Sequence, residues 1–544
     1  MFRRIGAIGI AGGIAGLAAA VGAQTPSPAA TAAATPGEQA ALKSHVMFLA
    51  SDAMQGREAG TPFYDVAAQY VAAQFYAAGL RPAGDKGGFL QKVPMVSYRA
   101  ADQGTIVLTR KGAEPQPLVF RDDYFPGANG AKAVTTVDAP VVFVGYGIVA
   151  PQHKRDDFAG VDVKGRIVVF VSGTPAGYAG EERAHFQSPL TKARAAEERG
   201  AIGALEIVTD PDGLMRVTLG WERPRVTWAR ADGTGAPDAT ILGMLTPAGA
   251  AKLFKGAKAE WPAVTKLAAT PDPKFRAELL PGSLAVSART SFEPLASSNV
   301  VGRIPGSDPK LKEEVVVLSA HLDHLGVGRP VNGDAINNGA LDNAVGVASL
   351  IEEAKRFEAA PTKPRRTILF LATTAEEKGL VGADYFARHP LGGKETIVAD
   401  VNLDMPIITY PFQDVVVFGA DHSTLGPIVA GAIAAQGLAS SPDPLPAEGI
   451  FVRSDHYRFV QQGIPAVYLW PGQAGPGKAA VADFLAHHYH QPSDDLNQPI
   501  DWAAGVRFVG VNYAVARAIA DADQRPLWNK GDYFGTLYQG QMAK

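Results

Sequence analysis

Three apolar runs in this chain end in side chains able to bind metal ions. Val315–Leu318 leads into His321, Asp323 and His324, Thr367–Ala372 leads into Glu376 and Glu377, and Thr396–Asn402 runs on to Asp404. Asp342 opens a stretch whose Val347, Leu350, Ile351, Ala354 and Phe357 keep helical spacing, and His487-His488-Tyr489-His490 follows late in the chain. Two adjacent glutamates at the end of a buried strand are costly as unpaired charge. They make sense if one carboxylate binds a metal and its neighbour holds a water on that metal. A dinuclear centre needs one carboxylate shared between the ions and, for each ion, about one histidine and one further carboxylate. His321, Asp342, Glu377, Asp404 and His490 supply such a set.

Other chemistries fit less well. A lone His or Asp at a strand end is commonly a cap or loop group, but the pattern here recurs at three strand ends. His324 reads as a neighbour of the site, and His487 and His488 as residues that precede the working His490. Ser454-Asp455-His456 has the composition of a nucleophilic triad, yet no Gly-x-Ser-x-Gly elbow accompanies it. His-Glu-x-x-His, the signature of helix-borne single-zinc proteases, is absent.

The elements that must position these groups follow from pattern and composition. At 544 residues the chain exceeds one ordinary core. Strands alternating with helices from 295 to 523 imply a mixed, largely parallel sheet sandwiched by helices, with the donor groups at the strand ends where open α/β sheets place their sites. The texture changes between 130 and 285, where strand-like runs carry no ligand set and Gly/Pro punctuation flanks them on both sides. The expected organisation is therefore a signal peptide over 1–23, a linker over 24–37, the first part of the catalytic domain over 38–129, an inserted β-rich module over 130–285, the catalytic domain over 286–523 and a tail over 524–544.

Composition closes off several classes. With no cysteine, thiolate zinc sites, iron–sulfur clusters, catalytic thiols and disulfides are excluded, so a metal must be held by His, Asp and Glu. A net charge of −3 gives no electrostatic reason to expect nucleic acid or an anionic membrane as a partner. Arg3 and Arg4 precede an apolar Gly/Ala-rich run to Val21 and the small residues Gly22 and Ala23, the pattern of a signal cleaved near Ala23. The expectation is a secreted or periplasmic protein without a stable membrane anchor. The alternative, an uncleaved anchor, is disfavoured by the glycines.

Taken together, SSNVVGRIPG, AHLDHLG, NNGALDNAVGVA, TTAEEKGLVGADYFA, NLDM, RSDHYRFVQQGIPAV and YHQPSDD resemble the co-catalytic zinc metallopeptidases of family 28, secreted aminopeptidases and their relatives. The likeness covers residues 42–100 and 295–520, and 130–285 resembles the protease-associated domain often inserted in such enzymes. The resemblance implies two zinc ions, one on His321 and Asp404, the other on Glu377 and His490, with Asp342 bridging. It implies that Asp323 orients the imidazole of His321, that Glu376 is general base and then acid, and that Tyr489 donates to the oxyanion. Asp455 and His456 would line the pocket, and the Asp342–Asn343 peptide bond would be cis. The implied reaction removes N-terminal amino acids from peptide substrates through a hydroxide bridging the metals. A carboxypeptidase or dipeptidase on the same fold is the alternative, decided by whether the pocket reads a free amine or a free carboxylate. A single-zinc glutaminyl cyclase-like acyltransferase is disfavoured because both His321 and Asp404 are present, and a non-catalytic ectodomain because the ligand set is intact. Oligomeric state is left open.

Overall fold

One strand, Glu278–Ile304, belongs to two sheets and organises the chain around it. Its first half pairs antiparallel with Thr105–Thr109 and Val134–Phe143, with Val286 opposite Ile106 and Val137. Its second half pairs with Leu90–Ala100 and then with Thr367–Thr373, so that Val300 lies between Leu90 and Ala372. Leu284, Val286, Ala288 and Thr290 are buried in alternation, the period-two pattern of a strand with one face on a core. The computed structural model describes residues 34–178, 180–391 and 395–544. The expected signal peptide and residues 24–33 of the linker lie outside the described residues.

The larger sheet has a parallel centre. Thr367–Thr373, Glu314–His321, Thr396–Asn402 and Ala466–Pro471 run side by side in one direction. Antiparallel partners flank them, the long strand on one side and Asp414–Phe418 on the other. The sheet is thus mixed, as the alternation of strands and helices led one to expect. Val316, Leu318, Ile368 and Phe370 face one core with the helices Pro36–Leu49, Pro62–Ala77, Val345–Ala359 and Trp502–Asp521. Val315, Val317, Leu369 and Leu371 face the other, with Phe386 and Phe459 from Val381–Arg388 and His456–Val460. Coverage on both faces explains why these strands read as unbroken apolar runs.

The second sheet has its own core, built on Val141, Phe143, Val169, Leu205, Leu245 and Leu284. Ile167–Val171 lies parallel to Val134–Phe143 and to Gly203–Ile207, which in turn pairs with Ile241–Leu245. This sheet also takes up Thr105–Thr109 and Tyr124–Pro126, from before residue 130, and the long strand crosses 285 without interruption. Gly127 reads as punctuation in the sequence, yet it serves pairing: a Cβ there would lie 2.2 Å from the Ile241 carbonyl oxygen.

Residues 524–544 were expected to be a tail, and instead they pack. Trp528 and Phe534 are fully buried, and the Trp528 indole donates to the Gly463 carbonyl at 2.7 Å. Two large apolar side chains that would cost free energy in water account for the difference. Among the described residues, no helix is long and apolar enough to cross a membrane.

Candidate metal centre

The donor groups meet at the carboxyl ends of the parallel strands. Asp342 is central: its Oδ1 lies 3.2 Å from His321 Nε2 and its Oδ2 lies 3.3 Å from His490 Nε2. His321 Nε2 is also 3.0 Å from Asp404 Oδ1, and His490 Nε2 is 3.2 Å from Glu377 Oε2. His324, read from sequence as a neighbour, brings Nδ1 to 2.8 Å from Glu377 Oε1. The donors form two groups that share Asp342, one with His321 and Asp404, the other with His324 and Glu377, and His490 adjoins the second. All five residues expected as ligands are brought together.

Local structure explains how they are held. Asp342 precedes the helix Val345–Ala359, and both carboxylate oxygens of Asp494 accept from the backbone N–H groups of Leu341 and Asp342 at 2.9 Å. The Asp342–Asn343 peptide bond is cis. Asn343 ties this loop to the one carrying Asp404, donating to the Leu403 carbonyl and accepting from the Met405 N–H. Ser454 Oγ donates to Asp404 Oδ2 at 2.6 Å, and Tyr468 and Trp470 donate to the Asp404 carbonyl. Arg57 is fully buried and spends its donors on main-chain carbonyls, including those of Leu322, Gly339 and Asp342.

Backbone strain gathers at the same loops. Ala375, Met405 and His490 adopt φ of 55°, 49° and 57°, a region that side chains other than glycine rarely enter. Each such residue costs roughly 1–3 kcal/mol and persists only where its surroundings enforce it. They stand just before Glu376, just after Asp404 and at His490 itself.

The electrostatics call for cations. The ion-pair partners of Asp342, Glu377 and Asp404 are histidines. Burial by itself would raise Asp342, but hydrogen bonds from His321 and His490 hold it well below the usual carboxylate range. Burial opposes the charge on His490, yet Asp342 and Glu377 push that ring up to about 10. Carboxylates that retain protons on imidazoles so strongly can hold a divalent ion in their place, because metal and proton compete for the same donors. The residues fit such an ion on a further observation: His324 Nε2 is buried without a hydrogen-bond partner, and Nδ1 faces Glu377 Oε1 at 2.8 Å without the alignment of a hydrogen bond. Imidazole and carboxylate donors without thiolate suit zinc and other divalent first-row metals.

A cavity of ≈ 290 Å³ opens onto the donors, with Glu376, Met405, Leu445, Ile450, Trp470 and Tyr489 among its walls. Burial, opposed by His321 and reinforced by Glu377 and Asp404, holds the Glu376 carboxyl well above its ordinary range. Tyr489 lines the cavity and stacks on His490, with ring centroids 3.9 Å apart. Asp323 meets His321 through its main chain and the glutamate pair through its side chain. The His321 Nδ1–H donates to its main-chain carbonyl at 3.1 Å, while its carboxylate accepts from the N–H groups of Glu376 and Glu377 at 3.0 and 3.4 Å. Its side chain therefore positions the glutamate pair and its backbone orients the imidazole. Asp455 and His456 were expected on the pocket wall, but both are fully buried beneath it, where Asp455 accepts from Thr373. His487 and His488 turn to Asp483 and Ser493.

Several supporting residues escaped the sequence reading. Asp494 sits in the quoted PSDD run and could have been singled out. Arg57 carried no signal, and Asn343 entered only through the expected cis peptide, because their hydrogen-bond partners are backbone groups far away in sequence.

An α/β sheet carrying a shared-carboxylate donor cluster at its parallel strand ends is the class that the fold and site define. Residues 299–516 match Peptidase family M28. Leupeptin-inactivating enzyme 1 of Streptomyces exfoliatus is 29% identical over 226 residues, covering 40% of this chain and 47% of that protein. A probable leucine aminopeptidase 2 of Aspergillus oryzae is 27% identical over 250 residues, covering 42% and 46%. The chain spans just under half the length of these curated relatives. Among solved structures, an aminopeptidase from Aneurinibacillus sp. strain AM-1 aligns over 90% of this chain and 95% of its own, at 19% identity and a TM-score of 0.47.

Proposed function

We propose that this chain is a dizinc aminopeptidase that releases N-terminal amino acids from peptides, exported by a signal peptide cleaved near Ala23. One observation carries the reading: two donor groups share the buried Asp342 beside a small cavity that also holds Glu376. His321 and Asp404 would hold one ion, Glu377 and His490 the other, with Asp342 between them. His324 stands close enough to Glu377 to join or orient the second group. When bound, zinc supplies Lewis acidity toward the scissile carbonyl and lowers the pKa of attacking water.

The chain's own groups do the rest. A Glu376 carboxylate oxygen accepts the proton of the attacking water and passes it to the nitrogen of the leaving amine. The Tyr489 hydroxyl donates to the developing oxyanion. The Asp323 carboxylate keeps the backbone of Glu376 and Glu377 in register, so the pair splits its roles between water and metal.

The size and lining of the cavity support an exopeptidase acting at the amino end. A volume of ≈ 290 Å³ suits one residue, and Glu448 joins Asp342, Glu376 and Asp404 in an acidic lining that favours a free ammonium group. The second reading, a carboxypeptidase or dipeptidase, is favoured by Arg453, which lines the cavity opposite a 3.3 Å partner in Glu448. The domain around the second sheet is read as a protease-associated module that supplies no ligands. Amino-acid anilides tested against N-blocked dipeptides, with metal analysis alongside, decide the matter. Anilide hydrolysis with two zinc ions per chain is expected, and hydrolysis of the blocked dipeptides alone would establish the second reading.

A further inference from the structure

One wall of the substrate cavity is formed by a single segment, and its back rests on the other domain. Leu445, Glu448, Ile450 and Arg453 line the cavity from a single turn-rich segment. Against the opposite side of that segment lies the helix Gly180–Gln187, which belongs to the domain around the second sheet. The Arg183 guanidinium donates to the Ala447 carbonyl at 2.5 Å. Contact is close at the backbone as well. A Cβ on Gly180 would lie 1.6 Å from the Pro446 carbonyl oxygen, and one on Gly449 would lie 2.5 Å from the Ala184 Cβ.

The helix is fastened on its other sides. His422 lies between Glu181 and Asp532, at 3.0 and 2.6 Å. His185 Nδ1 is 3.0 Å from the Tyr457 hydroxyl, which is 2.9 Å from that of Tyr538. These contacts join the helix to the larger domain and to the C-terminal segment at once. The wall is thus held between a cavity, which can yield, and a helix, which is anchored.

We infer that the helix Gly180–Gln187 is a specificity-determining element. Through Arg183 and the glycine contacts it fixes the position of residues 445–453 and so limits the side chain that the cavity admits. Arg183 is a positioning residue, since it touches the wall and not the substrate. The inference rests on reading the cavity as the substrate pocket.

The test uses the full mature enzyme with Arg183→Ala, Arg183→Lys and Gly180→Ala. Hydrogen exchange over residues 443–453, KM and kcat on alanine, leucine and phenylalanine anilides, and zinc content are measured for each. Couplings carried by packed contacts of this kind change affinity by about 3- to 30-fold. In Arg183→Ala, exchange over 445–450 and the phenylalanine-to-alanine selectivity should each shift within that range. Turnover of the alanine substrate should stay within about twofold and zinc content should not change. Arg183→Lys, which keeps a donor, should recover most of the shift, and Gly180→Ala should move selectivity even if Arg183 proves dispensable. Unchanged exchange and unchanged selectivity in folded Arg183→Ala and folded Gly180→Ala alike would overturn the inference. Failure of the wild-type enzyme on every anilide would instead overturn the functional reading. In that case hydrogen exchange, with calorimetric binding of free leucine and phenylalanine, still decides whether the helix governs the wall.

Discussion

The two halves of the donor set carry the same chemistry in different enclosures. The His321 and Asp404 side chains are 1% and 12% exposed; in the other half Glu377 is 7% exposed and the opening is at His490, 35% exposed. Asp404 is gripped at its side chain by Ser454 and at its carbonyl by Tyr468 and Trp470. His490 sits on a strained backbone beside the cavity and meets the site from a loop after the helix Gly477–His487. Binding depends on how firmly donors are held before the ion arrives, as well as on their identity. The sealed half should therefore keep its ion and the open half should exchange it.

The largest expected effect leaves both halves loaded. Glu376→Gln keeps the shape and removes the proposed base, so activity should fall about 10²–10⁴-fold, and metal analysis should still find the two ions of the proposed centre. Loss of an ion, or a rate near wild type, would end the division of roles within the glutamate pair. Next, Glu377→Gln and His490→Ala should weaken the open half, with activity partly restored at high zinc, whereas Ser454→Ala should weaken the sealed half. Removing a hydrogen-bond partner of a ligand typically costs about 10–100-fold in metal affinity. If Ser454→Ala empties the same site as His490→Ala, in zinc titration calorimetry, the comparison breaks. Third, a mild chelator should remove one equivalent of zinc well before the other, and His490→Ala should abolish only the fast phase. Equal release rates would mean that enclosure does not matter.

A last effect, on stability and not on activity or metal content, comes from a charge cluster outside both halves and serves as their control. Against the effect of burial, Asp532 and Glu181 raise His422 from 6.5 to about 9. A raised histidine stabilises the fold fully below its unfolded pKa, and that contribution is lost as pH rises through the folded one. Wild-type stability should accordingly fall between pH 6.5 and 9, by at most about 3 kcal/mol, and His422→Gln should flatten this slope in thermal melts. A change in the ratio of fast to slow zinc over the same range, absent from His422→Gln, would tie the two halves to the clamp.

Much of the site was legible because buried parallel strands advertise themselves. Apolar runs ending in His, Asp or Glu put His321, Glu377 and Asp404 on neighbouring strand ends before any coordinate was known, and family likeness ordered Asp342 and His490 around them. Spacing could not say which atom of a residue does the work. Asp323 supports His321 through its carbonyl, and sequence offers no way to tell that from its carboxylate. Nor could it separate a boundary from a bulge. Pro281 falls in the Gly/Pro punctuation that flanks the expected module, but with Gly282 it interrupts the register between Leu279 and Ser283 within one continuous strand. Pairings between distant segments decide that outcome, and local pattern does not contain them.

The strand Glu278–Ile304 also has a consequence for synthesis on the ribosome. Leu90–Ala100 emerges early, but its partner Thr290–Val300 follows only after the whole of the second sheet's sequence has been made. Arg225–Trp228 can pair with one edge of the early strand sooner, but until Thr290–Val300 is made the edge that faces it presents open N–H and C=O groups, the kind on which nascent chains aggregate. Closure of that edge waits on a contact of long sequence separation, which is intrinsically slow. The same strand that brings its partner to Leu90–Ala100 also completes the second sheet, so the early edge is covered only when the intervening domain can finish folding as well.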